Sequence, residues 1–184
     1  SVFKRENCPA IQAACRKRPT GMVPEQPDRA FNELLFYTSA LGVPARRQVE
    51  DTVTAQGEQL FAQAQCAVCH VPEIKTGEYP DLRQLGNQVI RPYTDLLLHD
   101  MGEGLADGRP DFLAGPRDWR TPPLWGIGLS DTVNGNASLL HDGRARNATE
   151  AILWHGGDAA VSRDAFAHMP KPERDALPAF LNSL

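Results

Sequence analysis

The run Cys66-Ala67-Val68-Cys69-His70 places two thiols three positions apart and an imidazole directly after them. Thiols at that spacing can add to the two vinyl groups on one edge of a porphyrin. The histidine that follows then turns beneath the iron and ligates it. Two other chemistries use a Cys-x-x-Cys pair. A structural zinc site needs two more ligands at regular spacing, and no second Cys-x-x-Cys occurs. A thioredoxin-like redox site follows a strand in a βαβ unit, whereas a helical pattern precedes the pair here. The expectation is one covalently attached c-type haem, with thioethers from Cys66 and Cys69 and with His70 as the first axial ligand.

A second axial ligand must come from elsewhere in the chain. The candidates are His99, Met101, His141, His155, His168 and Met169. Ala148, Ala151, Ile152 and His155 fall at i, i+3, i+4 and i+7, so His155 shares the apolar face of one helix. A histidine on a buried face beside a haem has an evident use, and His155 is the preferred candidate. A packed core histidine, or a charge meeting the helix dipole, is the plainer alternative. Met169, which precedes Pro170 and the last helix, is the rival ligand. Asp107, Asp111 and Asn134 to Asn136 raise calcium as a lesser possibility, although such residues in glycine-rich loops usually make turns.

Cys8 and Cys15 stand seven apart in the N-terminal arm. Thioether attachment of haem takes place in oxidising compartments, and a Cys8–Cys15 disulfide suits the same place; two free thiols is the other reading. Together these point to a bacterial periplasm. No signal peptide is visible, and the chain begins Ser1-Val2 without Met, which reads as a processed product or a fragment.

The elements that position these residues are mainly helical. Arg29 to Leu41 has a helical period, with Gly42 as a C-cap and Pro44 as a stop. Thr52 to Gln65 reads as the helix that delivers the cysteines, with Leu60, Phe61 and Ala64 on one face and Thr52 or Thr54 as its cap. Asp95 to Met101 is expected as a short helix. Trp119 to Gly128, with adjacent prolines, is expected as extended or 3₁₀-like. Asn147 with Glu150 makes a capping box, and Gly156-Gly157 ends that helix. The last helix opens near Pro172 and carries Leu177, Phe180, Leu181 and Leu184 on one face, with a kink or interrupted turn expected at Pro178. The chain of 184 residues, 41% hydrophobic, suits one domain with an appended arm. The division expected is an irregular N-terminal arm and helix over residues 1–50 and a cytochrome c-like helical haem domain with long ordered loops over 51–184.

Composition excludes several classes. There are 19 basic and 23 acidic residues, net charge −4, and so no basic field suited to nucleic acid. No stretch approaches the roughly 20 apolar residues needed to span a bilayer. An all-β fold is disfavoured by 7% aromatic residues and little alternation.

Further segments carry a family resemblance. They are Glu6-Asn7-Cys8-Pro9, Gly42 to Arg47, Cys66 to His70, Leu98-His99-Asp100-Met101-Gly102, Leu105-Ala106-Asp107-Gly108, Trp119 to Gly128, Leu140 to Ala145, and Trp154-His155-Gly156-Gly157. In this order they resemble the C-terminal part of a di-haem oxidoreductase of the peroxidase-like family. Its relatives are the bacterial di-haem cytochrome c peroxidases and the di-haem enzyme that matures methylamine dehydrogenase. The layout of the first and last helices is similar to that of cytochrome c domains, where the two cross at one edge of the haem.

The resemblance implies that this haem is the electron-transfer haem, and its second-ligand position falls on His155. Many peroxidases have Met there and the methylamine-related enzyme has Tyr, so this sequence departs with His. Methionine raises haem potential, so a bis-His haem of comparatively low potential is implied. Arg120 matches an arginine of the family run; contact with a haem propionate and a surface or structural role are its two readings. His99 and His141 are expected to fix loops, while Trp119, Trp125 and Trp154 are core residues or steps in an electron path. The resemblance also implies a second, peroxide-reacting haem in an N-terminal half, as well as a redox partner protein. With one haem motif, the isolated chain is expected to store and pass electrons rather than turn over peroxide. The alternatives are a free-standing electron carrier with His70/Met169 ligation and a haem-free structural or partner-binding domain with Cys66 and Cys69 as thiols or a disulfide.

Overall fold

The structure, a computed structural model, describes residues 8–17 and 26–184. The irregular arm expected over residues 1–27 therefore lies partly outside the described residues, as do Glu6 and Asn7 of the first family segment. The chain divides into two compact units, Ser1–Gly42 and Val43–Leu184. Residues 43–50 thus group with the second unit rather than with the arm.

In the first unit a single turn, α1 (Ala13–Arg16), is tied back by a disulfide between Cys8 and Cys15, whose Cα atoms are 5.8 Å apart. α2 (Asp28–Ser39) follows, with none of its residues buried.

The second unit is built on the crossing of α3 (Thr52–Gln63) and α7 (Lys171–Ser183). Their apolar faces form the core with Leu60, Phe61, Ala176, Leu177, Phe180 and Leu181. Close approach depends on Gly57. A Cβ there would run into the Ala176 carbonyl and lie 2.7 Å from Phe180 Cβ. α3 is capped by Asp51, whose Oδ2 accepts from the Thr54 N–H at 2.8 Å. This corrects the expected threonine cap: Thr54 sits inside the helix and donates its own hydroxyl to Asp51. At the other end, Arg47 donates to the carbonyls of Asn182 and Leu184 at 2.5 and 3.3 Å, meeting orphan acceptors at the end of α7. α7 runs through Pro178 as one helix.

The long segment between these helices holds two small antiparallel pairs. β1 (Ile74–Lys75) pairs with β2 (Val89–Ile90), and β3 (Leu98–Asp100) pairs with β4 (Asp118–Arg120), His99 opposite Trp119. β3 lies where a short helix was expected. Leu96 has φ +60, which breaks a helix, and the hydrogen bonds of 98–100 go to a partner far along the chain. α4 (Ser130–Asn134), α5 (Ala148–Trp154) and α6 (Ala160–His168) follow. Asn147 caps α5 through the Glu150 N–H at 3.0 Å, as expected. The Glu150 carboxylate reaches the N–H of Arg146 instead of closing the box on Asn147. The fold is mainly α, and among the described residues no helix is long and apolar enough to cross a membrane.

Candidate functional site

Between the α3/α7 crossing, α5 and the β3–β4 pair lies a cavity of about 670 Å³. Cys66, Cys69, His70, His99, Met101, Arg120, His141 and His155 all line it. Met169 and His168 do not. Met169 packs against the core beside the start of α7, and His168 Nδ1 donates to the Asp164 carbonyl on an exposed face.

α3 ends at Gln63, and Gln65, beyond its cap, sits in the left-handed region, φ +63; this reversal starts the 3₁₀ turn of Cys66–Val68. Both thiols are free. Burial pushes the Cys66 thiol up to about 11. Burial also raises Cys69, helped by the Asp95 and Asp158 carboxylates. Cys69 Sγ lies 3.8 Å from His99 Nδ1, and His99 Nε2 meets Asp95 Oδ2 at 2.8 Å.

His70 Nδ1 lies 3.0 Å from the carbonyl oxygen of Tyr93 and must donate to it. Tyr93 is buried with φ +54, an uncommon conformation for a bulky residue, and its ring packs edge-on against Phe61 and Phe180. His155 Nδ1 lies 2.7 Å from the Ala151 carbonyl oxygen and donates to it likewise. Burial lowers both histidines, His70 to about 4, so each imidazole is neutral at pH 7 with the proton on Nδ1 and a bare Nε2.

His155 caps the end of α5 with extended backbone, φ −61 and ψ 123, rather than lying in the last turn. The next two residues explain its fixed place. Gly157 has φ +50, and a Cβ there would collide with the Asp100 carbonyl. A Cβ on Gly156 would lie 2.8 Å from Met101 O. The two glycines let the chain after His155 lie against the end of β3, where Asp158 accepts from the Asp100 N–H at 3.2 Å.

His141, Asp107 and Asn136 have structural partners. His141 stacks on Trp119, ring centroids 3.6 Å apart and 11° between planes, and Trp119 Nε1 donates to Leu105 O at 2.9 Å. Arg120 is exposed at the cavity, with no carboxylate partner among the described residues. Asp107 and Asn136 hold turns through the N–H groups of Arg109 and Ser138. Sequence reasoning did not find Tyr93, Ala151 or Asp95. Tyr93 and Ala151 act through backbone carbonyls, which leave no mark in residue type.

The site fits an iron porphyrin. The His70 and His155 ring centroids stand 6.5 Å apart with planes at 46°. A metal–imidazole bond is about 2 Å and the ring centre lies about 1.1 Å behind its nitrogen, so imidazoles sharing one iron stand about 6.3 Å apart. The two cysteines line the same cavity. Residues 13–184 match the family described as "Di-haem oxidoreductase, putative peroxidase". The chain belongs to this family. Membership ties the chain to enzymes described as di-haem oxidoreductases. No curated protein matches the chain. Among solved structures, a chain of Kuenenia stuttgartiensis hydrazine synthase, pressurised with 20 bar xenon, shares the fold with TM-score 0.54 and 17% identity. The match covers 86% of this di-haem oxidoreductase chain and 56% of that one, so the present chain spans a little over half of its neighbour.

Proposed function

We propose that the second unit is the electron-transfer domain of a di-haem oxidoreductase, carrying one c-type haem on Cys66 and Cys69 with His70 and His155 as axial ligands. The observation that carries this is the pair of neutral imidazoles, bare Nε2 atoms available, 6.5 Å apart in one cavity. Such a haem supplies a one-electron couple. The chain's own residues set how it is used. Tyr93 O and Ala151 O hold the ring orientations and strengthen both nitrogens as donors. With both axial positions filled by the protein, there is no open position for peroxide, and the pair favours a lower potential than His/Met. Arg120, exposed at the cavity and without a carboxylate partner among the described residues, is suited to a haem propionate.

The second, peroxide-reacting haem belongs to a partner domain of the same enzyme, as the family description supports. Thioether attachment and the Cys8–Cys15 disulfide both suit an oxidising compartment, which favours the periplasm. The free-standing carrier with Met169 ligation is disfavoured because Met169 is absent from the cavity lining.

The test is the optical spectrum, oxidised and reduced, of the chain made in a periplasm with haem-maturation machinery. A low-spin c-type spectrum without a sulfur-to-iron charge-transfer band is expected. A sulfur band would move the ligand to methionine. A folded chain with no haem would sink the proposal.

A further inference from the structure

Residues 106–118 form a narrow finger whose base is the wall of the haem cavity. The base is closed by the Asp107 N–H on Pro116 O, the Met101 N–H on Arg117 O, and the Arg117–Asp100 ion pair, at 3.2, 2.9 and 2.9 Å. Its tip is a two-residue turn in which Asp111 and Ala114 exchange both backbone hydrogen bonds. The two residues at the tip are Phe112 and Leu113, and they are 102% and 103% exposed. Phe112 has φ +52, in a position where such turns favour glycine. A bulky apolar pair standing entirely in water, one of the two on a strained backbone, does nothing for the fold.

A second observation lies at the finger's base. Trp154, one residue before His155, is 43% exposed. The Arg144 guanidinium covers its ring at 4.7 Å and donates to Gly104 O. A Cβ on Gly104 would lie in ordinary contact, 3.7 Å, with the Trp154 ring. The loop that leads into the finger and the half-exposed indole next to His155 are therefore neighbours, joined by Gly104 and Arg144.

We propose that this surface, with the Phe112–Leu113 tip as its anchor and Trp154 beside it, is the docking face for the second haem-bearing domain of the enzyme. The inference rests on the haem reading above. The family is di-haem and this chain has one Cys-x-x-Cys-His, so a second haem domain has to come close to this one. The finger grows from the strands that carry His99 and Trp119 into the cavity wall, so a domain gripped at the tip is tethered to that wall. Charge argues against a polyanion. Arg109, Arg117 and Arg144 alternate with Asp107, Asp111 and Asp118, leaving no positive stripe for an anionic lipid surface.

The test compares the complete two-haem enzyme with its Phe112→Ser/Leu113→Ser variant by hydrogen–deuterium exchange over residues 109–115 at nanomolar concentration. The exposed tip makes the variant harmless to the fold, and an unchanged haem spectrum checks that. Exchange at Phe112 and Leu113 at least roughly tenfold slower than in a free peptide, lost in the variant, is the expected result. Free-peptide exchange in the wild-type enzyme would overturn the proposal. So would protection that develops only as enzyme concentration rises, which would mean a second copy, or only when anionic lipid vesicles are added. Failure of the haem reading would show separately, as a spectrum that is not low-spin bis-His with tip protection intact.

Discussion

The two histidines that face one another across the cavity are held by different kinds of structure. His70 stands at the end of a contiguous five-residue motif, delivered by one helix, and its support comes from the α3/α7 crossing through Tyr93 and Phe61. His155 stands at a helix end and is fixed by two glycines, the end of β3 and the loop beyond it. One side is a packed helical core and the other is an assembly of turns. Their different constructions predict different failures.

The largest effect is on the core side. Cys66→Ala/Cys69→Ala removes both attachment points, and mass spectrometry of the purified chain should show no covalent haem. His155→Ala should be milder: haem mass retained, low-spin six-coordination lost. Met169→Leu should leave the spectrum as it was. If Met169→Leu removes the low-spin signature and His155→Ala does not, the distal assignment is wrong.

Two glycines sharpen the contrast. Gly57→Ala forces a methyl group between α3 and α7 and should cost about 1–3 kcal/mol, read as a fall in Tm with unchanged ligation. Gly157→Ala meets both a positive φ and the Asp100 carbonyl, and should cost about as much. Its signature differs, because the strain falls beside His155 and should raise the high-spin fraction of the haem spectrum.

The haem-free chain gives a pH test. Burial depresses His70 to about 4 and lowers His155, whereas the unfolded chain binds these protons near pH 6.5. The unfolded state therefore binds more protons between those values. Stability is complete above about pH 6.5, falls as pH drops towards 4, and loses about 1.4 kcal/mol per pH unit for each fully depressed histidine. Denaturant midpoints across that window should show the slope, and His70→Gln should flatten it.

The same contrast decides what was legible in the sequence. α3, α5 and α7 were visible from apolar spacing and from Asn147, since a helix face and a cap are local. Several family segments, those around Cys66, His99, Trp119, His141 and His155, supply residues of the cavity wall for a similar reason: each is a short run with its own turn chemistry. α6 was not visible, because its polar surface hides the one side chain that anchors it, Phe166, 1% exposed. The residues of β3 read locally as helix, because their only reason to be a strand is β4, a long-range partner. The His155 position was readable, but its proton, its extended backbone and the packing of Gly157 on Asp100 were not. Those belong to contacts between distant residues.

The smallest expected effect concerns Arg120. Its guanidinium is exposed, so water and salt screen whatever it does for a propionate. Arg120→Gln removes one positive charge near the iron, which favours the more positive oxidised state and lowers the potential. For an exposed group the shift should be about 10–40 mV, and smaller at high ionic strength. A redox titration at two salt concentrations reads both. A shift well beyond that range, insensitive to salt, would mean that the guanidinium is desolvated in the assembled enzyme. The partner domain would then cover that side of the cavity as well as the finger, and the distal side would be a buried interface rather than a surface of turns.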